Sequence, residues 1–392
     1  MSARLPIFAF APDEWTGRRL NRQHILSRLA SRGWPVVYSI GALSVWDRRR
    51  ARWAEAGWLG GFEEIEGVCV DRPGRLPPRW QRHPGWDRLV LRSHARRLER
   101  EAGCPASGAI CYVFHPEYLP YVRCMRPRFV VYHAYDAYDL MPDWSPRLSE
   151  GRNHLLEQAD LRVVTFQGIT NFYPESLRGT VRELPNGVDE IFFGSDAACP
   201  PELAQIPRPR IGYIGAVNPK VNFELLRVLA AERPDWHWVV IGKSDLESEA
   251  AAGPHIDSMH AWHAFRGLPN VHYLGVRPFR EVPAYVAHMD VNTICYRTGA
   301  DGWWSFGSPN KLHEQLASGK PVVASPLETI QPFADVVQLA ATPAEWLAAL
   351  DCAVAGGGPG TPEQRRAVAQ RNTWDQRVDL LEGWLQEMLA SR

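Results

Sequence analysis

The sequence predicts an α/β protein made of two doubly wound units facing a cleft, and three observations carry this. Short apolar, β-branched runs alternate with helix-patterned segments through most of the chain, as parallel strands covered by helices on both faces do. At 392 residues, 45% hydrophobic and 22% charged, the chain is too long for one ordinary domain and too apolar for a disordered one. A stretch carrying Pro200, Pro201, Pro207 and Pro209 separates two sets of such runs. The expected division is a first domain at 1–194, a linker at 195–209, a second domain at 210–361, and a terminal helix at 362–392 that packs back across the junction.

In the first half, apolar runs ended by Pro, Gly or polar residues place strands at Ile7–Ala11, Pro35–Ser39, Ala109–Phe114, Phe129–His133, Leu161–Phe166 and Val181–Leu184. Arg18–Ser31 has helical periodicity and completes the first βα unit. Between Trp46 and Arg100 the pattern degrades into Arg-, Trp-, Pro- and Gly-rich sequence, which reads as an irregular insertion with one basic helix near its end. In the second half, strands are expected at Arg210–Ile214, Trp236–Ile241, Val271–Leu274, Val291–Tyr296 and Pro321–Ser325. Helices fall near Asn222–Arg233, Arg280–His288 and Pro309–Ser318. A last helix spans about Pro362–Leu389, with Trp374, Leu380, Leu381, Trp384 and Leu385 at helical spacing.

Forty-four basic residues balance forty-four acidic ones, which argues against a nucleic-acid binder whose affinity would rest on phosphate neutralisation. The balance hides two unlike halves: residues 1–190 hold 27 Arg and no Lys against 22 acidic residues, and the only lysines are Lys220, Lys243, Lys311 and Lys320. Seven scattered cysteines form no CxxC pair, so a reducing cytosol is expected. No stretch reaches the roughly 18 apolar residues of a spanning helix, and the N-terminus lacks a signal-peptide pattern. The Arg- and Trp-rich 46–100 region, with Arg48, Arg49 and Arg50 beside Trp46 and Trp53, and with Arg92, Arg96, Arg97 and Arg100 at helical spacing, suits an anionic membrane surface or a lipid diphosphate; a solvated helix face accounts for the same residues.

SPNKLHEQLASGKPVVAS, residues 308–325, is the segment richest in chemical meaning. Ser308 suits an N-cap, Pro309 the first helical position and Gly319 a left-handed C-terminal cap. The open N–H groups of such a helix start suit an anion, and Gly307 permits close backbone approach. Lys311 in the first turn is disfavoured by the helix dipole, so a ligand anion or a nearby carboxylate is a reason for it, a simple surface Lys–Glu pair being the plain alternative. Glu314 lies one turn on, suited to ribose hydroxyls. Ser308, Asn310, Lys311 and Glu314 are therefore candidate residues for binding a diphosphate and a ribose. Gly215 in GYIGAVN opens another strand-to-helix loop, where a missing third glycine argues against a dinucleotide fingerprint. Lys220 and Lys243 follow strand ends and are further candidates. In the first half His115, His133 and Asp136 sit at or just beyond strand ends, where a general base would reach a cleft. No zinc-ligand spacing occurs, so neither metal nor other cofactor is expected.

LPNGVDEIF, then GYIGA followed by ELLRVLA, then LPNVHYLGVRPFREVPAYVAHMDV, then SPNKLHEQLASGKPVV resemble the successive motifs of GT-B glycosyltransferases related to glycosyltransferase family 4, including bacterial cell-surface polysaccharide and exopolysaccharide enzymes. The resemblance implies two Rossmann-like domains, an acceptor site in the first and a nucleotide-sugar site in the second. It further implies metal-independent transfer from a UDP-sugar, with GDP-sugar second, to a lipid-linked or saccharide acceptor, in the cytoplasm or at the inner face of the cell membrane. Glu314 resembles the acid that holds the ribose, Gly215 the glycine near the phosphates, and Lys311 the lysine of one branch. Many retaining members carry a glutamate where Phe306 stands, with Asp301 the nearest acid in that loop. The segment YHAYDAYD resembles a strand end of exopolysaccharide glucuronosyltransferases in which Asp136 aligns with an inverting base. A nucleotide-sugar epimerase of this architecture and an inactive sugar-binding protein are the alternatives.

Overall fold

The computed structural model describes residues 4–17, 19–141, 144–194, 198–249, 253–299 and 307–391. The chain divides into two compact units, Met1–Pro185 with Arg377–Arg392, and Asn186–Gln376.

The first unit is a sheet of eight strands: β1 (Ile7–Phe10), β2 (Val36–Ser39), β3 (Gly61–Ile65), β4 (Val68–Arg72), β5 (Ile110–Val113), β6 (Phe129–Ala134), β7 (Leu161–Val164) and β8 (Val181–Glu183). Their order is β3-β4-β2-β1-β5-β6-β7-β8. All pairs are parallel except β3 with β4. The central strands β1, β2, β5 and β6 are buried along their whole length, as a sheet covered on both faces requires. The six predicted strands are present, five of them shorter than expected by one or two residues and β6 longer by one. The helix expected over Arg18–Ser31 starts at Asn21. Hairpin β3–β4 occupies sequence read as irregular; β3 is largely exposed and carries Glu63 and Glu64, so it lacks the apolar run that marks a strand. The basic helix of that region is Pro84–Glu101.

Asp71 at the end of β4 organises this insertion. It is buried and accepts hydrogen bonds from Ser39 Oγ (2.6 Å) and His94 Nε2 (2.8 Å), and it pairs with Arg97. His94 Nδ1 is 2.7 Å from the Tyr121 hydroxyl, which in turn accepts from the Ala42 amide at 2.7 Å. Arg97, read from the sequence as part of an outward basic face, is therefore turned inward. Its guanidinium also lies 4.8 Å from the Phe62 ring centroid.

The second unit is a six-stranded, wholly parallel sheet of β9 (Arg210–Ile214), β10 (His237–Ile241), β11 (Val271–Gly275), β12 (Val291–Ile294), β13 (Val322–Ala324) and β14 (Gln338–Leu339). Its order is β11-β10-β9-β12-β13-β14. The helix Phe223–Glu232 begins where the Asn222 side chain accepts from the Leu225 amide at 3.1 Å, and it buries Phe223, Leu225, Leu226 and Leu229 against the sheet. In the proline-rich stretch before β9, Leu203 and Ile206 are buried in the core of this unit. The last helical segment is two helices, Pro362–Gln370 and Trp374–Ala390. The second buries Trp374, Val378, Leu381, Leu385 and Met388 at alternating spacings of four and three, while Leu380 faces out. Glu382 on this helix meets Arg4 (3.0 Å), Arg32 (3.3 Å) and the Trp34 indole N–H (2.9 Å) within the first unit. Among the described residues no helix is long and apolar enough to cross a membrane.

Candidate functional site

In doubly wound sheets, ligands bind beyond the carboxyl ends of the strands where strand order reverses. In the second unit the chain runs outward from β9 through β10 to β11 and returns on the other side of β9 as β12, so the reversal lies between β9 and β12. Gly215 follows β9 directly, and Cys295 and Tyr296 follow β12.

Three predicted residues meet here. Gly215 has φ +152°, and a Cβ on it would overlap Nζ and Cε of Lys311. Only glycine lets that ammonium lie against the backbone. Lys311 is 8% exposed; its Nζ is 4.0 Å from the Tyr213 ring centroid and 5.1 Å from that of Tyr296. Lys220 approaches the same Tyr296 ring, at 4.9 Å. Two cations thus share one aromatic ring at the reversal point. Burial alone would push the Tyr296 phenol up, but Lys220 and Lys311 outweigh it and bring its pKa down to about 8. Tyr296 is held by Ser325, whose hydroxyl accepts from its amide (3.0 Å) and donates to its carbonyl (2.7 Å).

The helix carrying Lys311 runs Lys311–Ala317, with Asn310 at the N-cap position and no side-chain cap. It begins two residues later than Pro309. Ser308 does not cap it; its carbonyl instead accepts from Asn186 Nδ2 at 2.8 Å, while the Gly307 carbonyl accepts from Thr329 Oγ1 at 3.0 Å. The PNGVD motif thereby anchors the loop that leads into Lys311. Gln315, buried on the inner face, donates to the Thr293 carbonyl at 3.2 Å. Glu314, one turn after Lys311, is half-buried, and Gly319 ends the segment with φ +77°. Lys243 is not drawn into this cluster: its ammonium is largely exposed, 3.6 Å from Asp245. Phe306 and Asp301 lie outside the described residues.

In the first unit the reversal lies between β1 and β5. His115, just past β5, accepts from the Glu117 amide at 3.4 Å, sits 3.4 Å from the Glu117 carboxylate, and packs edge-on to Tyr138. Burial would raise the Glu117 carboxyl, but His115 and nearby arginines hold it below the usual range. Asp136, two residues past β6, is half-buried beside Tyr135. His133 is fully enclosed within β6, 2.9 Å from the Tyr112 hydroxyl, and burial pushes its pKa down to about 3, which keeps the imidazole neutral.

Sequence reasoning missed a group on this same edge. Arg22, wholly buried at the start of the helix after β1, pairs with Asp13, and its guanidinium lies 5.1 Å from the Tyr135 ring. Tyr135 also donates to Asp13 Oδ2 at 3.3 Å. An arginine in a helix reads as polar surface, so the only signal was the DEW turn after β1. Tyr213 and Tyr296 were also missed, though both stand near the ends of strands flanking the reversal. Among the described residues no three His, Cys, Asp or Glu side chains converge as a metal set.

Residues 208–353 match the family described as glycosyl transferases group 1. A Bacillus subtilis (strain 168) protein assigned to teichuronic acid biosynthesis as a glycosyltransferase, TuaH, is 26% identical over 246 residues, 58% of this chain; the match spans 59% of that relative's length. Among solved structures, sucrose-phosphate synthase from Thermosynechococcus elongatus superposes with a TM-score of 0.73 at 15% identity, over 99% of this chain and 100% of that one. HepE of Anabaena, solved in complex with UDP and glucose, gives 0.67 at 15% identity over 98% of this chain and all of its own. The fold is that of the GT-B glycosyltransferases.

Proposed function

We propose that this chain, whose residues 208–353 form a group 1 glycosyl transferase domain on a GT-B fold, moves a sugar from a nucleoside diphosphate donor to a saccharide or lipid-linked acceptor in the synthesis of a cell-surface polysaccharide. A UDP-sugar is the favoured donor and a GDP-sugar the second, and no metal or other cofactor takes part. The observation that carries this reading is the convergence of Lys220 and Lys311 on Tyr296, with Lys311 laid against the Gly215 backbone at the sheet's reversal point. Cleavage of a glycosyl–diphosphate bond builds negative charge on the departing diphosphate. Two cations already fixed at that place stabilise the charge as it grows and require no reorganisation.

In this reading Glu314 holds the ribose, and Ser308 and Asn310 shape the loop beside the phosphates. Lys243 serves at most as an outer, solvent-screened cation. In the first unit Asp136 takes the proton from the acceptor hydroxyl. His115 is the second candidate base, and His133 supports β6 rather than meeting the acceptor. The UDP and glucose bound by HepE and the teichuronic acid assignment of the Bacillus relative support donor and pathway class alike.

The test is a panel of nucleotide sugars, with and without saccharide and lipid-linked acceptors, in the presence of a chelator. Acceptor-dependent release of UDP or GDP that the chelator leaves intact is expected. Interconversion of the sugar without nucleotide release, or activity only with added metal, would overturn the proposal.

A further inference from the structure

We infer that one face of the first unit, built from residues 45–59 and 75–96, docks on the surface of a bilayer containing anionic lipids. Docking of this kind stands independently of the sugar-transfer reading. Of the eleven large hydrophobic side chains exposed among the described residues, seven lie here: Trp46, Trp58, Leu59, Leu76, Trp80, Trp86 and Leu89. Leu59 is 82% exposed and Trp58 66%. Side chains of this kind, concentrated in two segments while the remaining four are scattered singly, mark an interaction surface.

The face is continuous. The Leu76 amide donates to the Trp58 carbonyl at 3.1 Å, which joins the Trp58–Leu59 tip to the segment leading to Trp80. That segment borders a depression of about 960 Å³ lined by Trp46, Pro78, Trp80, His83 and Trp86, and the Trp86 indole donates to the Pro78 carbonyl at 2.9 Å.

Charge identifies the partner. Arg48, Arg49, Arg82 and Arg88 are exposed and have no acidic partner among the described residues, whereas Asp47 is taken by Arg52 and Asp87 by Arg79 at 2.9 Å, which leaves Glu55 as the one exposed acid of these two segments against four such arginines. On the helix Pro84–Glu101, Arg88, Arg92, Arg96 and Arg100 follow one another every four residues on the exposed face, a stripe about 18 Å long. Like charges so spaced repel, and an anionic surface relieves that repulsion. Guanidinium groups also lie over tryptophan rings, Arg82 over Trp46 at 4.9 Å, Arg75 over Trp58 at 5.6 Å and Arg48 over Trp53 at 5.8 Å. Aromatic rings and cations at one level match the headgroup zone of a bilayer, where indoles settle and arginines meet lipid phosphates. A protruding leucine beside Trp58 suits acyl chains and offers nothing to a saccharide, which favours the bilayer over an anionic glycan.

Flotation of the full-length chain with phosphatidylcholine vesicles, with and without phosphatidylglycerol, tests this. Binding is expected only to the phosphatidylglycerol vesicles and should fall as salt rises. Each arginine removed should weaken it about fivefold, so the triple variant Arg48→Ala, Arg49→Ala, Arg88→Ala should lose on the order of 100-fold. Trp58→Ala with Leu59→Ala should lose at least about tenfold. Because these side chains are exposed, thermal unfolding should be unchanged; if the triple variant melts early, Arg88→Ala alone carries the comparison. Equal binding to both vesicles, no binding, unaltered binding by the variants, or retention by a soluble anionic saccharide in place of vesicles would each overturn the inference.

Discussion

Replacing Lys311 with methionine separates a lysine kept for a ligand from one kept for the fold. Lys311 is 8% exposed, and its ammonium lies buried 4.0 Å from the Tyr213 ring. Its burial costs several kcal/mol of lost hydration, against a cation–π gain of about 1–2 kcal/mol. Methionine has nearly the same length and no charge, so Lys311→Met should leave stability unchanged or raise it. Nucleotide affinity should move the other way. A partly desolvated ammonium–phosphate contact contributes about 1.5–3 kcal/mol, so the UDP dissociation constant should rise roughly 10- to 150-fold. Calorimetric titration with UDP, paired with chemical denaturation of the same preparations, reads both quantities. A third reading comes from Tyr296. With one cation gone its phenol should ionise at higher pH, visible as phenolate absorbance because burial raises Tyr38, Tyr112, Tyr121, Tyr132 and Tyr135 and leaves Tyr296 to ionise first. Unchanged UDP affinity together with a marked loss of stability would refute the reasoning and make Lys311 a structural residue.

Tyr296→Phe should abolish an alkaline effect. The folded phenol ionises near 8 and an unfolded one near 10, so ionisation adds stability as pH rises from about 8 to 10, about 2–3 kcal/mol at most, and adds none below. The same phenolate would neutralise lysine charge, so UDP affinity should fall through pH 8 in the native chain and stay level in the variant; parallel pH profiles would contradict this. Asp71→Ala should cost about 3–5 kcal/mol in urea denaturation, because Arg97 and His94 lose their buried partner; a loss under about 1 kcal/mol would show the network to be ornamental. Burial alone would raise the Asp71 carboxyl, but His94, Arg97 and Ser39 hold it below its ordinary value, so its contribution is full above about pH 4 and is lost as pH falls further. Asp136→Asn should abolish sugar transfer while UDP affinity stays unchanged, and full activity in that variant would exclude it as the base.

The parts of the architecture that depend on neighbours in the chain were legible. Gly319 could be placed at a helix end because a left-handed cap is a local demand, and the buried central strands announced themselves as apolar runs. Hairpin β3–β4 was hidden because an exposed edge strand with Glu63 and Glu64 carries no apolar signature. The start of the Lys311 helix was misplaced because Ser308 has the right residue type for a cap, but its carbonyl is held by Asn186, 122 residues away. Pairings at such distances leave no local trace. The Arg22–Asp13–Tyr135 group escaped notice for the same reason, since whether an arginine in a helix faces water or a strand end depends on the strand's neighbours.

Gly215, Lys220 and Lys311 were legible one by one, as a strand-end glycine and two of only four lysines in a chain that otherwise uses arginine. Their meeting was not, because it rests on Tyr296, which follows a different strand, β12. That choice of cation has a physical sense. An ammonium is compact enough to lie against the Gly215 backbone and between the faces of Tyr213 and Tyr296, where the wider planar guanidinium would meet the space left by the missing Cβ with too much bulk. The first unit shows the converse use: arginines carry its exposed stripe and its stacked pairs with tryptophan, where a flat, weakly hydrated cation gains most. Lys311→Arg should therefore impair UDP binding almost as much as Lys311→Met despite keeping the charge. It should also lower stability, since the larger group must displace Gly215 or leave its place between the rings. Native-like affinity and stability in Lys311→Arg would show that charge alone, and not its close approach to the backbone, is what the site requires.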